Sequence, residues 1–70
     1  MRIIKLIKAK PSMLEGDVNR YLKKLQNKFD QNVIVQDIKT MIVTSDVEEA
    51  CITIDFNESA GITADMVLVI

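Results

Sequence analysis

Seventy residues make one domain, 1–70, with 49% hydrophobic side chains, 27% charged ones and a net charge of −1. A chain this short buries only about 60% of the surface it exposes when unfolded. Its single cysteine excludes an internal disulfide, and the absence of histidine argues against a zinc site and against Ser–His or Cys–His catalysis. With those staples gone, self-association is the remaining common way to stabilise a small core.

Ile3 to Ala9 reads as a first strand, which Lys10-Pro11 ends because proline donates no backbone hydrogen bond. The start of the chain is too short and too often charged for a signal sequence or a membrane span, so a cytoplasmic protein is expected. Ser12-Met13-Leu14-Glu15 matches a capping box. A helix from about Met13 to Phe29 follows, with Leu14, Val18, Tyr21, Leu22, Leu25 and Phe29 on one stripe. Asp30-Gln31-Asn32 stops it, and Asn32 is suited to a left-handed cap.

Val33 to Thr44 reads as a long strand whose alternation breaks near Gln36 to Lys39. A bulge there would switch faces; the favoured alternative has both faces partly covered, one by the helix and one by a neighbouring subunit. The next turn, Ser45 to Glu48, is expected to leave Glu48 and Glu49 solvated. From Glu49 to Asn57 the alternation is clean, with Ala50, Ile52, Ile54 and Phe56 facing in and Cys51 facing out. Beyond a loop around Gly61, the run Met66 to Ile70 reads as a final strand that needs cover on both faces. The expected fold is therefore α+β: β-α-β-β with a C-terminal extra strand, an antiparallel sheet covered by one helix, homo-oligomeric.

Charge is unevenly spread. Residues 1–28 carry eight bases and two acids, a net +6, whereas residues 29–70 carry one base and eight acids, a net −7. Solvation of the wet faces or mutual steering of copies is the favoured reading. The alternative is an anionic ligand, with Arg2, Lys5, Arg20, Tyr21 and Lys24 as its candidate binding residues. A sequence pI of about 5.2 disfavours nucleic acid, no glycine-rich phosphate loop is present, and neither a metal nor a cofactor is expected.

With Val35-Gln36-Asp37-Ile38-Lys39 after an amphipathic helix, residues 2–56 resemble a family of very short sporulation-associated proteins with phage relatives. That family implies no activity and no site residue to carry over, and the tail 58–70 departs from its pattern. The strand order is also similar to dodecins, which are flavin-sequestering shells, although no flavin-stacking tryptophan is present. The expectation is a non-catalytic homo-oligomer that sequesters a small anionic metabolite or nucleotide between subunits, as a phage counter-defence sponge would. The alternatives are a module that docks on a host protein by a strand edge or helix face, and a nucleic-acid accessory protein.

Overall fold

A computed structural model describes residues 1–70. Strand β1 spans Arg2–Ala9, helix α1 Pro11–Phe29, strand β2 Val33–Thr44, strand β3 Val47–Phe56, and a one-turn helix α2 Ala64–Leu68. The sheet is antiparallel throughout in the order β1-β3-β2, with α1 across one face. The α+β class, the single main helix and the inward set of β3 agree with the pattern in the sequence.

The central strand holds the core. Ala50, Ile52 and Ile54 are fully buried, and they meet Leu14, Val18, Tyr21, Leu25 and Phe29 from α1. Phe29 and Phe56 close one end as an edge-to-face pair with centroids 5.5 Å apart. From β1, Ile3, Lys5, Ile7 and Ala9 face the helix, while Arg2, Ile4, Leu6 and Lys8 lie on the open face.

Both helix ends differ from the expected caps. The capping box at Ser12 does not form; the N-cap is Lys10, and Met13 and Leu14 donate to its carbonyl at 2.9 and 3.1 Å. Pro11 starts the helix two residues sooner because its fixed φ suits the first position and its missing N–H needs no partner there. At the other end Asp30, not Asn32, takes the positive φ, at 53°, and its N–H returns to the Gln26 carbonyl.

The break in β2 is a bulge at Gln36, rather than burial of both faces. Val35 pairs with Ile54 and Asp37 with Thr53, so one residue of β2 has no opposite number. The extra residue inverts the phase. Val33, Val35, Ile38, Thr40 and Ile42 all face the helix side, and Ile34, Asp37, Lys39 and Met41 face the open side.

The C-terminal run is not a strand. Thr63 is extended, Ala64 to Leu68 coil once, and only Val67 of that turn is buried. Val67 and Ile62 join the core, with Met1 and Ile70 packed against it. An antiparallel partner for β1 would have to start at the far end of the sheet from the point where β3 ends. The nine residues 57–65 span at most about 30 Å fully stretched, which leaves no slack for that return. A local turn buries Val67 and brings Ile70 against the core with less chain, and leaves Met66, Leu68 and Val69 exposed.

Glu49 is likewise not a solvated tip. It lies in β3 with its side chain largely covered and 3.7 Å from Lys8 Nζ.

Candidate functional site

The five residues expected to bind an anion do not form one cluster. Arg2 lies on the open face of β1, where Nε and Nη2 donate to the two Asp55 oxygens at 2.8 and 3.0 Å. That fork, more than any other contact, holds the Asp55 carboxyl below the usual carboxylate range, and Gln36 adds to it. The hydrogen bond to Asp55 in turn raises the Arg2 guanidinium.

On the helix side Lys5 stands over the Tyr21 ring, its Nζ 5.1 Å from the centroid. Tyr21 belongs to the core, and burial pushes its phenol above the ordinary value. Arg20 pairs with Asp17 on the same helix. Helical phase sets Arg20, Lys24 and Lys28 in one row on the flank of α1 above β1. Lys28 Nζ donates to the Met66 carbonyl at 3.3 Å and ties that flank to α2. So Lys5, Arg20, Tyr21 and Lys24 share one side of the fold, and Arg2 lies on the other.

The opposite flank of α1 is different in kind. Because the helix sits over β1 and β3, the helix side of β2 is left uncovered. A shallow groove in two separate stretches lies there, one between Leu22 on α1 and Val33 and Val35 on β2, the other between Leu14 and Val18 on α1 and Ile38 on β2. Six large apolar side chains of β2 stay exposed: Ile34, Val35, Ile38, Met41, Ile42 and Val43, with Ile42 at 75%. Past β2 there is no further strand, so the backbone groups on that side are unpaired along twelve residues.

The only charges on this strand, Asp37 and Lys39, sit side by side on the open face with Nζ 3.8 Å from Oδ2. The two edges of the sheet thus contrast. β1 is shorter, exposes Ile4 and Leu6 among Arg2, Lys5 and Lys8, and turns Lys5 inward, a known guard against edge pairing; β2 is long and carries only Asp37 and Lys39.

This edge was only half legible in the sequence. The apolar excess of residues 33–44 was visible, but its placement at the rim depends on β3 taking the centre, which no local pattern encodes.

No three His, Cys, Asp or Glu side chains gather closely enough to hold a metal ion, and no helix is long and apolar enough to cross a membrane. Cys51 is a free thiol, half-buried on the open face between Leu6 and Lys39. Comparison with protein-family models, curated proteins and solved structures gives no significant match, so the residues themselves carry the functional argument.

Proposed function

We propose that this chain is a non-catalytic binding protein that works as a homo-oligomer, with the bare edge and groove of β2 as its contact surface. One observation supports this above the others: a twelve-residue edge strand with six exposed large apolar side chains. Native sheets ordinarily blunt such an edge or cover it, and apolar area leaving water is worth about 25 cal/mol per Å². A cytoplasmic setting fits a chain whose one thiol is free.

Sedimentation velocity at micromolar concentration tests the proposal. A species heavier than the 7.9 kDa chain is expected, and a monomer at every concentration would end it. A pull-down that recovers one stoichiometric foreign partner, with the chain itself monomeric, would instead favour a host protein adding its own strand to the edge.

A second function is favoured by a separate observation, Lys5 over Tyr21 with Lys24 on the same flank, beside an Arg20 that is paired with Asp17. That flank suits a small anionic ligand such as a nucleotide, while Arg2 is already engaged by Asp55. A ligand that binds the native state must raise its melting temperature. Thermal shift against a nucleotide panel is the assay, and no stabilisation by any member would remove this second reading.

A further inference from the structure

We propose that β2 pairs antiparallel with β2 of a second copy, in the one register that sets Ile38 opposite its own counterpart. This rests on the homo-oligomeric reading above and specifies its geometry. The case is made by the charges. An antiparallel pair of identical strands is related by a two-fold axis perpendicular to the sheet, so facing residues share a face and every contact occurs twice.

With Ile38 on the axis, Asp37 of each copy faces Lys39 of the other on the open side. Sliding the strands to centre on Asp37 puts two carboxylates opposite each other, and centring on Lys39 puts two ammonium groups opposite each other. Like charges directly across a strand pair are destabilising. Centring on Thr40 sets Lys39 against Met41 and leaves both charges without a partner. Only the Ile38 register joins opposite signs.

The apolar positions agree with this choice. Beyond Lys39, the Gln36 bulge of the second copy absorbs one residue, as it does against β3. Thr40 then faces Val35, Met41 faces Ile34 and Ile42 faces Val33, each on a matching face. The product is one six-stranded sheet, β1-β3-β2 continued by its copy, with both α1 helices on the same side. The helix-side grooves of the two copies adjoin along the axis, floored by the two Ile38 side chains.

Charge exchange tests the register. Lys39 and Asp37 have side chains 82% and 50% exposed, so replacing either leaves the core alone, and circular dichroism checks this. Wild type is expected to sediment at twice 7.9 kDa. Asp37→Lys or Lys39→Asp alone lines the axis with four like charges and should weaken dimerisation about ten-fold or more. An equimolar mixture of those two variants should recover the dimer as a heterodimer, and the double variant D37K/K39D should recover it alone.

Cys51, the only cysteine, gives a second measurement through a nitroxide label. Three strand spacings of about 4.8 Å and a two-residue offset put the paired Cα atoms about 16 Å apart. Strong dipolar broadening is therefore expected in wild type and not in either single variant. A dimer indifferent to both charge reversals, or a mixture that stays monomeric, overturns this register and leaves the homo-oligomer standing. A monomeric wild type overturns both.

Discussion

Leu22 and Leu25 are one turn apart on α1 and identical in chemistry, yet the fold gives them opposite situations. Leu25 is 1% exposed at the centre of the core, whereas Leu22 is half-buried at the lip of the groove over β2. Leu25→Ala removes about three methylene equivalents at about 0.8 kcal/mol each. A cavity term adds to that, for a total of about 3 kcal/mol. At about 0.05–0.15 kcal/mol per residue, a domain this size holds only about 3.5–10 kcal/mol in all.

The variant should therefore melt about 12–24 °C lower, at about 4–8 °C per kcal/mol. Leu22→Ala leaves no closed cavity and should cost about 1 kcal/mol or less. Thermal melts by circular dichroism, at one protein concentration so that assembly is held fixed, read both. Equal losses for the two variants, or a Leu25→Ala loss under about 1 kcal/mol, would mean that α1 is not seated over β1 and β3 as described.

Three further outcomes follow from particular contacts. Asp55 has its folded-state pKa below the unfolded value near 3.9. Its ion pair with Arg2 therefore contributes above about pH 4 and is lost as pH falls through the lower, folded value. The melting-temperature gap between wild type and Asp55→Asn should shrink below about pH 4 and in 1 M salt, and a gap unchanged at pH 2 would contradict the pairing. Deleting Gln36 should remove the bulge and leave a regularly alternating strand, at about 1 kcal/mol or less; loss of a cooperative melt would show that the bulge is not at that residue. Val67→Ala should cost about 1–2 kcal/mol and Val69→Ala about 0.5 or less, because Val67 is 2% exposed and Val69 78%. In a strand those two residues would share a face, so equal effects would restore the extended tail.

Much of the fold is written in local periodicity. The stripe from Leu14 to Phe29 and the alternation of Ala50, Ile52, Ile54 and Phe56 each specify an element and its buried face. The tail is not written that way. Five apolar residues suit a strand or a turn of helix equally, and the choice follows from the length of chain after Phe56. Nor is the grouping of charged residues local: Arg2 and Lys5 are three apart in sequence but on opposite faces, and Arg2 is held by Asp55, fifty-three positions away. A basic half of the sequence thus became two separate surfaces.

The inward Lys5 on β1 has a consequence for how far assembly can go. A sheet open at both rims would accept copies on either side and lengthen into a fibre. Here an ammonium group over Tyr21 blunts the β1 rim, which leaves the β2 rim the more open of the two. In the proposed pairing of β2 with its copy, the two outermost strands of the joined sheet are both β1. The same guarded strand then faces solvent at each end, so that assembly would close at two copies.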